Sequence, residues 1–209
     1  MAHVVVGISG ASGIILAKRA VAWLTELGHF VDLVMSRSAS QTASLELGKE
    51  FASAEGLLAS LPDVHRDRVT LYRNSDFSPP IASGSARRHG MLIIPCSMGT
   101  VAAIAHGLAD NLIRRAADVT LKERRPLVLV PRESPFSALH LKNLLSLAQM
   151  GVVIAPPVPA WYLQPGSMGE MEEIIVARAI EALGLEPPPV ARWEGLRTVV
   201  ENIDRYSQL

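Results

Sequence analysis

Apolar positions fall in short blocks that switch between a strand period and a helix period along this chain. Val4 to Ser9 is a β-branched run broken by Gly10-Ala11-Ser12-Gly13, after which Ile14 to Leu27 carries helical spacing and stops at Gly28. Phe30 to Met35 repeats the strand pattern, and Ser36 stands where it would cap a helix from Arg37 to about Leu47. Further strands are predicted at Val69 to Arg73, Met91 to Pro95, Leu127 to Val130 and Val152 to Ala155. Helical patterns occupy about Ala54 to Leu61, the stretch starting at Val101, Asn111 to Glu123, Ser137 to Met150, and Met168 to Leu183 closed by Gly184. Cys96 to Thr100 reads as a turn. Asn74 to Gly90 is a long segment rich in Ser, Pro and Gly, and such a loop is either functional or disordered. Strands alternating with helices imply parallel pairing with right-handed crossovers, and a strand as apolar as Leu127 to Val130 must be covered on both faces.

The expected fold is therefore α/β in three layers, a Rossmann-like or flavodoxin-like open parallel sheet with helices on both faces. Residues 1–209 are expected to form a single domain, with a C-terminal helix and tail from about 165. Composition narrows the partners. Nearly half the residues are apolar (49%) and the charges balance to zero, which removes the electrostatic argument for nucleic acid or an anionic membrane. A small ligand is expected instead. The single cysteine, Cys96, cannot form an intramolecular disulfide, and the start shows no basic leader. No run approaches the roughly 20 apolar residues of a membrane span, so the expected location is the cytoplasm.

Candidate chemistry sits in the loops. Gly7, Gly10 and Gly13 are spaced G-x-x-G-x-x-G, not the dinucleotide G-x-G-x-x-G, and the second strand ends in Ser36 where an acid for ribose hydroxyls belongs. No Gly-Lys-Ser or Gly-Lys-Thr follows, so a P-loop is excluded too. What remains is a helix start with small residues and the hydroxyls of Ser12 and Ser36, suited to a single phosphate; a tight turn alone would also account for the glycines. Ser97-Met98-Gly99-Thr100 repeats the strand-loop-helix geometry, although Ser97 could be no more than a cap. Ala102 stands where a Cys-x5-Arg phosphatase needs its arginine, so Cys96 reads as a buried apolar residue. The six histidines never pair at ligand spacing, and no metal site is expected. Arg115, Asp118, Val119 and Lys122 share one helix face, which a solvated charged face would explain equally well. Arg178 lies among Ile174, Ile175, Ala177 and Ala182 at helical spacing, so an anionic partner is expected, either a structural carboxylate or a phosphate. Arg132 and Glu133 directly follow the buried strand, at the sheet rim where open α/β folds bind ligands.

Taken together, Gly10-Ala11-Ser12-Gly13, Ser36, Ala82-Ser83-Gly84-Ser85, Pro95-Cys96-Ser97, Arg115-Ala116-Ala117-Asp118-Val119, Lys122 to Leu129, Pro131-Arg132-Glu133 and Pro159-Ala160-Trp161-Tyr162 resemble a known family. It is that of the flavin prenyltransferases of the UbiX type, within the homo-oligomeric flavin-containing decarboxylase-like flavoproteins. The resemblance implies metal-independent transfer of a dimethylallyl group from dimethylallyl monophosphate to reduced FMN, giving prenylated FMN and phosphate. The product would pass to a UbiD-type decarboxylase, and the assembly would be a dodecamer with sites built between subunits. It further implies FMN binding by Gly10, Ala11, Ser12, Ser36, Ser97, Met98, Gly99, Thr100 and Arg132, with the Ser83-Gly84 loop close to the flavin. By the same resemblance Lys122, Tyr162 and Arg178 grip the prenyl phosphate, Arg115 and Glu46 line the site, Trp193 lies near the prenyl chain, and Glu133 passes protons. These residue types suit the chemistry, because cations and a hydroxyl at fixed positions stabilise a leaving phosphate, and aromatic faces hold an allylic cation. Two alternatives are a flavin-dependent cysteinyl decarboxylase and a flavin-binding decarboxylase subunit without chemistry. The first would show an Ala-Ser-Ala-Asn-Thr type loop where Cys96 to Thr100 stand.

Overall fold

The computed structural model describes residues 1–193. In chain order the main elements are β1 (His3–Ile8), α1 (Ile14–Glu26), β2 (Phe30–Met35), α2 (Arg37–Glu46), α3 (Ala54–Ala59), α4 (Asp63–Arg66), β3 (Val69–Arg73) and β4 (Gly90–Cys96). They continue with α5 (Met98–Ala105), α6 (Leu112–Lys122), β5 (Leu127–Pro131), α7 (Ala138–Gln149), β6 (Val153–Ile154) and α8 (Met168–Ala182). All pairings are parallel, and the sheet order is β3-β2-β1-β4-β5-β6. From β1 the chain first builds outward through β2 and β3, then returns to lay β4 on the other side of β1. The strand order therefore reverses between β1 and β4, and a crevice opens beyond their carboxyl ends.

Strand alternation divides the core between the two faces. Val4, Val6 and Ile8 of β1 meet Leu24 of α1, Leu57 of α3 and Ile180 of α8, whereas Val5 meets Ile113 of α6 and Leu147 of α7 with Met91 and Ile93. Helices thus cover both faces, as a sheet of near-continuous apolar strands requires. The α/β sandwich read from periodicity is the observed fold.

Two details differ from the sequence reading, and a third bears on the segment read as functional or disordered. The supposed turn at Cys96 to Thr100 is already helical: Ser97 is the N-cap, its hydroxyl accepts from the Thr100 N–H at 3.3 Å, and Met98 opens α5. The predicted last strand contracts to Val153 and Ile154, opposite Val128 and Leu129. The segment from Asn74 to Gly90 is held in place along its length. Asn74 accepts from the N–H groups of Leu112 (2.9 Å) and Ile113 (3.0 Å), while Arg88 reaches back to Asp32, a carboxylate buried on β2. Among the described residues, no helix is long and apolar enough to cross a membrane.

Candidate functional site

The crevice at the reversal point is built from hydroxyls and helix starts. Ser9 follows β1 directly and is only 2% exposed; its hydroxyl accepts from the Ser97 N–H at 2.8 Å and donates to the Pro95 carbonyl at 3.3 Å. That pairing ties the end of β1 to the end of β4. Around it three helices begin, each with its own cap: Ser36 on α2, Ser97 on α5 and Asn111 on α6. A cavity of about 380 Å³ lies among Ser9, Ser36, Ser38, Ser97, Thr100 and Arg114. One nitrogen of Arg114, Nη1, grips Asp110 at 2.7 and 2.8 Å, while its buried Nε has no partner. Convergent hydroxyls, helix N-termini and a guanidinium together complement a phosphate ester. Ser36, Ser97 and Thr100 of the sequence reading come together here. Ser9, Ser38 and Arg114 were missed, since nothing local marks residues that only the strand order brings together.

The Gly10–Gly13 loop beside this cavity does something else with its donors. Gly13 adopts φ 104°, which turns its own N–H and that of Ile14 toward α2, and both donate to the Glu46 carboxylate at 2.9 to 3.1 Å. The start of α1 thus already carries a carboxylate from within the chain, on the N–H groups of Gly13 and Ile14. Gly10 approaches α2 so closely that a side chain would meet the Ser38 backbone at 3.2 Å, and Ala11 beside it is buried. The glycines bring this loop against the capped start of α2.

A second group lies at the C-terminal end of α6. Lys122 forms an ion pair with Glu123, and that bond holds the Glu123 carboxyl below its usual range. Both head groups rest against Gly84. Two turns earlier Arg115 bonds Asp118 at 2.7 Å and the Ala82 carbonyl at 3.0 Å.

A third group lines a cavity of about 800 Å³ between the segment after β6 and helix α8. Tyr162 and Trp193 meet edge to face with ring centroids 5.7 Å apart, and Val158, Ile174, Ile175 and Pro187 supply apolar wall. Arg178 also lines it, but its side chain is 75% exposed and paired with Glu181 three residues on. Of the two partners foreseen for this arginine the carboxylate is present, and the side chain stands in solvent above its apolar neighbours.

At the rim, the Arg132 N–H donates to the Cys96 carbonyl at 3.3 Å, while the Glu133 carboxylate accepts from the Ser134 N–H at 3.1 Å. Among the described residues no ion pair joins Arg132 to Glu133. Cys96 is fully buried, and burial pushes its thiol up to about 12, which makes it an inert core residue.

A doubly wound parallel sheet with a phosphate-accepting crevice at its reversal point defines a mononucleotide-binding α/β protein. Consistent with that class, the flavoprotein family model matches residues 1–180. The chain belongs to the flavoprotein family and, within it, to the UbiX flavin prenyltransferases. It is 47% identical to the flavin prenyltransferase UbiX of Chlamydia trachomatis, over 94% of this chain and 100% of the relative. Among solved structures, the dodecameric FMN-dependent UbiX-like decarboxylase of Escherichia coli O157:H7 matches at 42% identity with TM-score 0.83, covering 92% of this chain and 100% of that one. AnUbiX (PadA1), solved in complex with FMN and dimethylallyl pyrophosphate, matches at 38% identity with TM-score 0.82, covering 93% and 98%.

Proposed function

We propose that this protein transfers a dimethylallyl group from dimethylallyl monophosphate to reduced FMN, releasing phosphate and prenylated FMN. The observation that carries the reading is the 800 Å³ cavity, where apolar walls, two aromatic rings and Arg178 meet in a chain related along its length to flavin prenyltransferases. An apolar, aromatic pocket suits a branched five-carbon chain and the positive charge it develops on leaving phosphate. Reduced FMN supplies the electron-rich ring that accepts the chain. Gly10, Ala11, Ser12, Ser36, Ser97 to Thr100 and Arg132 are the residues assigned to hold it, and the helix-capped cavity fits its phosphate. Lys122, Tyr162 and Arg178 are assigned to the prenyl phosphate, with Arg115, Glu46 and Trp193 lining the site. Glu133 is assigned the proton that accompanies the leaving group.

The two cavities share no lining residue, and Lys122 lines neither. That separation favours sites completed between subunits of a homo-oligomer, as does the dodecameric relative. Helix α7 offers the contact surface, since Leu141 and Leu145 are 54% and 59% exposed on one stripe. In this reading the enzyme works in the cytoplasm and hands its product to a UbiD-type decarboxylase.

The test is an anaerobic incubation with reduced FMN and dimethylallyl monophosphate, followed by mass analysis of the flavin. A five-carbon adduct is expected, and its absence under turnover conditions overturns the proposal. Glu133→Gln and Lys122→Ala should each slow prenylation by more than about threefold, a loss of roughly 0.7 kcal/mol of transition-state stabilisation. Smaller effects would remove their assigned roles.

A further inference from the structure

The basic residue after Arg124 is committed to the backbone of a distant loop. Arg124 takes a left-handed conformation at φ 54°, so the chain turns sharply at the end of α6 and the Arg125 N–H bonds back to Thr120 at 3.0 Å. The Arg125 side chain then points across to residues 82–86, where Nη1 donates to the Ala86 carbonyl and Nη2 to the Gly84 carbonyl, each at 2.8 Å. A planar guanidinium is suited to such a fork, which a lysine cannot reproduce. Arg115 adds a third bond to the carbonyl of Ala82, and the hydroxyls of Ser83 and Ser85 lie 2.9 Å apart within the loop. Three alternate carbonyls are thus suspended from α6 and its C-terminal turn.

The position of this loop decides where Lys122 can lie. A methyl group at Gly84 would come within 2.6 Å of the Lys122 ammonium and overlap the Glu123 carboxylate. Those groups are the mobile ends of long side chains, so such a clash would displace the ion pair without unfolding the helix. The loop is the wall against which the ammonium rests, and Arg125 holds the wall.

We propose that Arg125 is a positioning residue for capture of the prenyl phosphate, fixing the Ser83–Ser85 loop so that Lys122 is held where the phosphate binds. The inference rests on the reading of Lys122 as a phosphate-binding residue. Both terminal nitrogens of Arg125 are engaged by carbonyls, so it acts through the loop and not on the substrate.

The test uses the full-length protein and Arg125→Ala, Arg125→Lys and Gly84→Ala, with three readouts: amide hydrogen exchange of residues 82–88, FMN affinity by fluorescence quenching, and steady-state kinetics. Arg125→Ala should speed exchange of the loop amides and raise KM for dimethylallyl monophosphate by about tenfold, with kcat within about threefold and FMN affinity within about twofold. Arg125→Lys should restore part of both losses. Gly84→Ala should raise KM alike while loop exchange stays near that of the parent, and the double variant should be no worse than the poorer single one. Unchanged loop exchange or unchanged KM in Arg125→Ala overturns the proposal. So does a loss of FMN affinity matching the rise in KM, which would mark a structural role only. Failure of the unaltered protein to form the adduct would instead remove the prenyltransferase reading, while the exchange measurement still decides whether Arg125 holds the loop.

Discussion

Removing the Glu46 carboxylate should destabilise helix α1 by an amount the structure allows one to bound. Two N–H groups in the first turn, those of Gly13 and Ile14, donate to Glu46, and the Gly13 bonds are solvent-exposed while the Ile14 bond is partly buried. Loss of a side-chain acceptor at a helix start costs about 1 kcal/mol. The negative charge adds a few tenths from its interaction with the helix dipole, at the low end of the usual range because water screens it. Glu46→Ala should therefore cost about 1 to 1.5 kcal/mol, and Glu46→Gln, which keeps an acceptor and loses the charge, about 0.5 kcal/mol. For a chain of this size that corresponds to falls in Tm of about 3–5 °C and 1–2 °C. Thermal melts should be run at one protein concentration, because the melting temperature of an assembly shifts with concentration. Raising the salt should shrink the Gln effect, which is electrostatic, more than the Ala effect. A Glu46→Ala protein melting within about 1 °C of the parent, or a Gln variant as damaged as the Ala variant, would refute the assignment of Glu46 as a charged cap.

Other consequences are equally direct. Arg88→Met leaves the Asp32 carboxylate, 6% exposed on its side chain, without its cation; a loss of about 3 kcal/mol is expected in urea unfolding, much of it recovered in Asp32→Leu/Arg88→Met. Cys96 should resist iodoacetamide at pH 8, where a thiol titrating at about 12 is ionised to only about one part in ten thousand, and label rapidly in denaturant. The unfolded thiol loses its proton first, so this group's contribution to stability is fully present below pH 9.0 and is lost as pH rises toward about 12. Leu141→Glu/Leu145→Glu should lower the assembly mass in light scattering while far-ultraviolet dichroism is retained; an unchanged mass would show that this stripe of α7 is not an interface.

The strands and the longer helices were legible because each carries its own period and its own punctuation: β1 ends at Ser9-Gly10, α1 stops before Gly28, and Ser36, Asn111 and Ser137 cap α2, α6 and α7. Strand order was not, since parallel neighbours are joined by crossovers and the Ser9–Ser97 bond spans 88 residues. The segment from Asn74 to Gly90 read as functional or disordered because its anchoring partners lie 33 to 56 residues away in the chain, beyond the reach of a local pattern. Arg125 belongs to the same set of distant anchors, since both ends of its guanidinium are bound by that segment. Arg178 was read as needing a carboxylate or phosphate partner, and Glu181 is a carboxylate partner; the spacing of its apolar neighbours did not show that so long a side chain reaches over them into solvent.

The start of α1 and the crevice beside it differ in how they receive an anion. The sequence reading gave the glycine loop either a phosphate or no more than a tight turn, and a helix start attracts negative charge whatever its source. Glu46, 32 residues from Ile14, supplies that charge from within the chain. A phosphate brought to the same turn would meet a carboxylate at close range, whereas beside Ser36, Ser97 and Arg114 it would meet hydroxyls and a guanidinium. On electrostatic grounds a phosphate would therefore be better received beside the starts of α2 and α5 than at the Gly13 and Ile14 N–H groups that Glu46 already engages.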